Sequence, residues 1–515
     1  LSVAALDEWA RTIVSTMFPL IQVLYHGEQT IDYWEYLGAL LYMAVMYVAF
    51  ARQRMLKAGS GPEYRFFVSA MLVKMIASFF FTLIYHYKYG GGDSAAYFFS
   101  SLSMRNMAVV DPLEYLRQMA GDNSYEAWAK YTLVTAKPYQ FMFFDDRTFA
   151  VLRITSLVTF FTFKSVLLTN MLMATVSFFG IWACYRTFVS YFPQISGPLA
   201  TGFLFMPSSV FWGSPVLKDT ITFSAVCWWV HAVDEVFFKR RRIMGRSVIL
   251  VLSAMAMMMV KPYIFMVLLS ATLLWLFYFR LVRVRNLLFK FVLFPITIAI
   301  FVGVTLFVLK QLGDSAGQFA LDGALKSIEA TQQDLIKTES YGSNSFDVGK
   351  FDGTWLGLFT KFPIAVNAAL FRPYLWECNN FTMVMSGLEN LWVLAFTIFA
   401  VMRAGPRFIM QCMAGIPLVT MSMTFALLFG FAVGVSTPNF GALVRFKIPL
   451  VPFFISSMYI VVFLARIKRA MHKDGLRFDL GEFLMGTAHI KGLEGYLDRK
   501  RGSTVRTKAP APLTA

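Results

Sequence analysis

The chain has 515 residues, of which 57% are hydrophobic and only 15% charged, with 54 Phe and 11 Trp. That balance excludes a disordered chain and an ordinary soluble domain, and it fits a protein that lives in a bilayer with aromatic residues at its interfaces. The formal charge is +17, but the cations sit in short segments between apolar runs, which is a pattern of membrane topology and not of a nucleic-acid-binding face.

In chain order, residues 1–33 come first. Within them residues 8–25 look amphipathic and are expected to lie in the membrane interface outside the cell. No cleavable signal peptide is evident, because no small-residue cleavage site follows the first long apolar run. A membrane-spanning helix needs roughly 17–25 apolar residues. Eleven runs qualify: 34–51, 65–87, 166–186, 194–212, 219–238, 246–261, 263–280, 287–310, 385–403, 407–434 and 445–465. The pair on either side of Lys261-Pro262-Tyr263 is short, and a single kinked or re-entrant unit is the alternative there.

The short basic loops fix the orientation. ARQRMLK at 51–57, KRRRIMGR at 239–246, RLVRVR at 280–285, RAGPR at 403–407 and ARIKRAMHK at 465–473 all fall on one side when eleven spans are counted, and that side is the cytoplasm. The predicted fold is therefore an all-α polytopic membrane protein, of the kind found in a bacterial inner membrane, with its N-terminus external and its C-terminus cytoplasmic. Residues 34–310 carry the first eight helices, including an external loop at 88–165. Residues 311–384 form a second external loop, 385–465 the last three helices, and 466–515 a basic tail suited to anionic lipid. Both long loops contain stretches that read as membrane-parallel helices, such as DPLEYLRQMAG, and loops of this length usually carry function. The four cysteines and five histidines show no metal-ligand spacing.

The polar residues that matter gather at the external ends of the spans. The run YHYKYGGGDSAAYFF, 85–99, follows the second span and holds Asp93 behind Gly90, Gly91 and Gly92. Glycines let the backbone turn sharply and approach a ligand. Asp93 reads either as the N-cap of a helix through Tyr97 or as a functional carboxylate. The next external turns carry Lys218 and Asp219, then Lys261 and Tyr263, then Arg372 and Glu377 in FRPYLWECNN, then Arg445 and Lys447. Cations at that depth suit a lipid-linked phosphate, and a nearby carboxylate suits removal of a proton from an attacking hydroxyl. The bland alternative is that these cations pair with Asp219, Glu377 and Glu389 and hold helices together. Lys74, in the middle of a span, reads as the partner of a carboxylate on another helix.

The placement of GGGDSAAYF after an early span, the segment MPSSVFWGSPVLKDTITFSAVCWW, the arginine of RTFAVLRITSLVTFFTF ahead of an interfacial helix, and the arginine-then-proline order of GALVRFKIPLVPF together resemble the GT-C superfamily of membrane glycosyltransferases. The resemblance runs over about residues 65–240 and more loosely over the last span. It implies a polyprenyl-phosphate-linked sugar as donor, and a glycan, lipid or protein as acceptor, within a membrane-lipid environment and without nucleic acid. It implies Asp93 as catalytic base, with Asp219 the next carboxylate in line. Lys218, Lys261, Arg372 and Arg445 would hold the donor phosphate, and Tyr97, Tyr263 and Glu377 the sugar or lipid head. The second carboxylate of the superfamily's first loop is open between Asp111, Asp145 and Asp146. No cofactor or metal ligand is assigned, and a divalent cation stays open. A polysaccharide polymerase or ligase acting on lipid-linked glycans, and a non-catalytic transporter or membrane subunit, are the alternatives; a transporter should show repeated halves and midplane polar residues.

Topology is testable directly. With the native cysteines removed, a membrane-impermeant thiol reagent should label single cysteines placed at Asp93, Asp352 and Arg445 from outside, and leave those at Arg54, Arg241, Arg283 and Arg407 unlabelled. Labelling at Arg241 without labelling at Asp352 reverses the orientation.

Overall fold

The computed structural model describes residues 31–57, 59–282, 357, 360–437, 439–475 and 478. The interfacial segment before residue 31, the expected span at 287–310, Asp352 with most of the loop 311–384, and the basic tail beyond Gly475 apart from Phe478 lie outside the described residues. Among the described residues there is no strand, and eight helices are long and apolar enough to cross a membrane. The protein is an all-α membrane protein.

Its helices are α1 (Tyr33–Leu56), α2 (Phe67–Tyr89), α3 (Gly92–Val110), α4 (Pro112–Ala120), α5 (Asp146–Thr159), α6 (Val166–Tyr191), α7 (Ser196–Leu204), α8 (Pro207–Trp212), α9 (Lys218–Val233), α10 (Ile243–Val260), α11 (Pro262–Val282), α12 (Phe362–Phe371), α13 (Phe381–Ala404), α14 (Pro406–Gly415), α15 (Pro417–Ser436), α16 (Phe440–Phe446) and α17 (Leu450–Lys473). Their starts follow local chemistry. The Oγ of Ser165 accepts from the Leu168 amide at 3.1 Å, and Oδ1 of Asn380 accepts from the Met383 amide at 2.9 Å, so each caps a helix. Pro112, Pro207, Pro262, Pro406 and Pro417 each occupy a first helical position, where the missing N–H costs nothing.

Two expected spans are broken by those prolines. Residues 194–212 form α7 and α8 instead of one helix, because the ring of Pro207 cannot continue α7. Residues 407–434 likewise divide at Ile416 into α14 and α15. At Lys261 the chain turns between α10 and α11. α11 then runs back beside α9, with the Trp229 indole donating to Thr272 at 2.9 Å and Phe238 meeting Trp275 at 4.6 Å.

The core is aromatic. Phe188 and Phe203 stand 4.7 Å apart, Phe203 and Phe453 5.6 Å, and Phe453 and Phe425 5.3 Å, which joins α6, α7, α17 and α15. Such rings combine large apolar area with edge-to-face attraction. A second core, with Phe81, Phe143, Phe149 and Leu217, seats α3 and α5 on one end of the bundle. The helix directions put the basic segments 51–57, 239–246, 403–407 and 465–473 at the other end. There Arg186 meets Glu63 at 3.7 Å and Lys239 meets Asp234 at 2.5 Å.

Among the described residues Lys74 has no carboxylate partner. Its Nζ donates to the carbonyl of Gly213 and lies 3.4 Å from Ser214 Oγ, so the cation sits at the C-terminus of α8, where helix carbonyls point outward. Asn170 in α6 serves the same region. Its Oδ1 accepts from the Val216 amide at 2.7 Å and from Ser94 Oγ at 3.3 Å, while Nδ2 donates to Thr82 Oγ1 at 2.8 Å.

One amide side chain thus ties α2, α3 and the approach to α9 onto α6. Asn170→Ala strands the buried Val216 N–H, which costs about 1–3 kcal/mol. The variant should melt measurably lower in detergent than the parent. An unchanged melting temperature would mean that the aromatic packing alone seats these segments.

Candidate functional site

Between α2 and α3 the backbone passes through Gly90, Gly91 and Gly92 at φ of 64°, 104° and 59°. Three consecutive residues in the left-handed region are tolerable only for glycine. A Cβ at Gly92 would also stand 2.9 Å from the Tyr85 ring. The tight turn has a consequence for Asp93. Gly91 is the N-cap of α3 and makes no side-chain cap, so Asp93 falls one residue inside the helix and its carboxylate is not the cap. The N-cap alternative is thereby set aside.

The carboxylate of Asp93 turns instead to Arg445 in α16. Arg445 Nη1 donates to Asp93 Oδ2 at 2.6 Å, and its Nε donates to Asp219 Oδ2 at 2.5 Å. The other oxygen of Asp219 accepts from Lys261 Nζ at 2.5 Å. The Lys261 ammonium lies 4.1 Å from the centre of the Phe446 ring, a cation–π contact that helps to keep it at this depth. The result is a line of alternating charge, Lys261, Asp219, Arg445, Asp93. It runs from the interior, where Asp219 is 1% exposed, to the surface, where the Asp93 side chain is 58% exposed. Four residues from distant parts of the sequence are brought together here.

Lys218 belongs to a neighbouring pair. Its Nζ reaches Asp145 Oδ2 at 3.1 Å, and the same oxygen caps α5 by accepting from the Thr148 amide at 3.1 Å. Burial pushes the Asp145 carboxyl up, but the bonds from Thr148 and the charge of Lys218 outweigh it and hold the group below its ordinary value. Asp111 caps α4 through the Glu114 amide, and Asp146 accepts from Asn123 at 2.7 Å. Of the three open carboxylates, Asp145 is the one that touches a predicted site residue. Tyr97 is on the buried face of α3, and burial pushes its phenol upward, with the charge of Arg445 opposing. Tyr263 lies against Phe429, with ring centres 6.1 Å apart and planes 13° from parallel.

Arg372 and Glu377 face each other across the turn before α13. Nε of Arg372 donates to both carboxylate oxygens, at 3.0 and 3.2 Å, and Nη2 bonds Oε1 as well. The guanidinium also lies 5.2 Å over the Phe440 ring of α16. Lys447, just past that helix, donates to the Arg372 carbonyl at 3.1 Å and to Asn390 Oδ1 at 2.7 Å. Glu389 accepts from the Ser208 amide at 2.6 Å and from its hydroxyl at 2.5 Å. α16 therefore presents Arg445 to the aspartates and Phe440 to Arg372. Asn170 and Asn390, which buttress the two groups, were missed by the sequence reading. Their signal was a polar amide inside an apolar run.

Among the described residues no group of three or more His, Cys, Asp and Glu could hold a metal ion. No protein-family model, curated protein or solved structure matches the chain. What the site does must be read from its own chemistry: it holds an exposed carboxylate beside a guanidinium that is already anchored from behind.

The two aspartates should behave differently on substitution. Asp219→Ala leaves the buried Lys261 and the half-buried Arg445 facing each other without their shared carboxylate, and breaking a buried pair costs about 3–5 kcal/mol. Asp93→Asn removes an exposed charge worth roughly 0–1 kcal/mol. Thermal melting of both variants in detergent checks the order, and equal losses would contradict the buried-to-exposed gradient.

Proposed function

We propose that the protein is a membrane glycosyltransferase of GT-C-like architecture, with about eleven spans and an active site at the external membrane face. It transfers a sugar from a polyprenyl-phosphate-linked donor to a hydroxyl-bearing acceptor. The observation that carries this reading is the 2.6 Å pair of Asp93 and Arg445 at the end of the bundle opposite the basic segments. Charge-assisted bonds from arginine are strong and fit a phosphate's paired oxygens, and Arg445 is held in place by Asp219.

In the proposed reaction the acceptor oxygen attacks C1 of the donor sugar. Its proton passes to Asp93, the bond from C1 to the phosphate oxygen breaks, and polyprenyl phosphate leaves with the electron pair. Arg445 stabilises the growing negative charge on the leaving phosphate. Lys218 stands in the adjacent pair as a further cation for the donor, and Arg372 with Glu377 flanks the opposite side of α16. The aromatic surfaces of Tyr97 and Tyr263 border the same region.

The reading is tested by sugar transfer from a labelled polyprenyl-phosphate hexose in membranes holding the protein. Asp93→Asn should lower turnover by roughly 10²–10⁴-fold, the usual contribution of a positioned base, while the melting temperature holds. Arg445→Lys should keep part of the donor affinity that Arg445→Ala loses. Near-normal turnover by Asp93→Asn would remove Asp93 as the base and shift that role to Asp145 or Asp111.

A further inference from the structure

At the far end of the bundle the last turns of α13 and α17 border a cleft of ≈ 450 Å³. Among the described residues Arg403, Arg466, Arg469 and Lys473 line it, with the carboxylate of Asp474. Arg466, Arg469 and Lys473 recur at spacings of three and four, so one face of α17 presents all three. Arg469 donates through Nη2 to the Arg403 carbonyl, which draws the end of α13 onto that face.

Two ordinary explanations cover only part of this. Cations in a last turn complement the helix dipole, which accounts for Arg403 and Lys473. Arg466 stands about two turns before the end of α17, where no such demand exists. Basic segments at one end of a membrane protein set its orientation, but that requires positive charge on exposed loops and not convergence on a cavity. Among the described lining residues four cations and one carboxylate leave three positive charges around one cleft, and an anion would relieve their repulsion. The lining is graded as well. Val462 and Ala465 lie on the same helix face toward the bundle, and Ala465 is buried. An apolar inner wall under a cationic rim suits a phosphate ester whose charged group stays near water.

We propose that this cleft between α13 and α17 is a binding site for a phosphate-bearing ligand, either the headgroup of an anionic lipid or a soluble phosphate. The proposal is independent of the transferase reading.

The test uses the purified full chain in mild detergent. The probes are short-chain phosphatidylglycerol, short-chain phosphatidylcholine as a neutral control, and inorganic phosphate and pyrophosphate at matched ionic strength. Binding is read as a dissociation constant and as a rise in melting temperature. Phosphatidylglycerol or the inorganic anions should bind, and Arg466→Gln or Lys473→Gln should each weaken binding by about ten-fold, as expected for loss of one charge-assisted contact. Binding of phosphatidylglycerol alone assigns a lipid headgroup, and binding of the inorganic anions alone assigns a soluble ligand. Arg52→Gln and Arg54→Gln, on the basic end of α1 and outside the cleft, should bind as the parent does. The proposal is overturned if no anionic probe binds, or if these control variants weaken binding as much as the cleft variants do.

Discussion

Asp219 is a carboxylate removed from water, with each oxygen committed to a different cation. Burying such a charge costs several kcal/mol unless its partners arrive in good geometry. Those partners lie 42 and 226 residues away in sequence, at the α10–α11 turn and in α16. The end of the bundle must therefore close as one unit. α9 has to begin where it does, the chain has to turn at Lys261, and α16 has to lie across the top of both. Once Arg445 is anchored through Nε, its remaining face has little freedom. That face points at the turn where three glycines deliver Asp93.

Much of this was legible in the sequence, and what was not has definite physical causes. The apolar runs located α2, α10 and α11 to within about three residues and α1, α6, α9 and α13 to within about five, because a helix crossing a bilayer needs length and little else, whereas α17 starts five residues later and ends eight residues later than its run. The breaks at Pro207 and Pro417 were lost because a run of apolar residues looks the same on either side of a proline. The residues of the site were legible as individuals: Asp93, Lys218, Asp219, Lys261 and Arg445 each sit where an apolar run stops. Their pairing was not. Lys218 and Asp219 are neighbours in sequence, yet successive residues on a helix point about 100° apart. Lys218 reaches sideways to Asp145 while Asp219 turns inward to Lys261 and Arg445. Asp93 could equally well have capped α3 until the left-handed glycines showed that Gly91 holds that position.

Both ends of the bundle hold specific ion pairs, Arg186 with Glu63 and Lys239 with Asp234 at the far end, but they differ in how completely the charges are paired. At the Asp93 end the ions form specific pairs: Arg445 with two aspartates, Lys261 with Asp219, Lys218 with Asp145, Arg372 with Glu377. Specific pairs cost side-chain freedom but fix geometry, which a binding or reacting group needs. At the other end cations outnumber carboxylates in the cleft between α13 and α17. That surplus marks the end without organising it, and it leaves charge free to meet an anion.

For the proposed transfer, the asymmetry of Arg445 matters more than its charge. Its Nε bond is to a carboxylate that is 1% exposed and held from its other side, whereas its Nη1 bond is to one whose side chain is 58% exposed. An arriving phosphate competes for the guanidinium, and it meets weaker opposition at the exposed bond, where water already screens the pair. Exchange at Nη1 would leave Arg445 in position and release the Asp93 carboxylate beside the newly bound donor. On that proposal, a base freed by donor binding becomes available only when the acceptor's proton has to be removed. The same logic explains why Asp219 is poorly suited to that role: with one oxygen committed to Lys261 and the other to Arg445, it cannot take up a proton without dismantling the contacts that hold Arg445 in place.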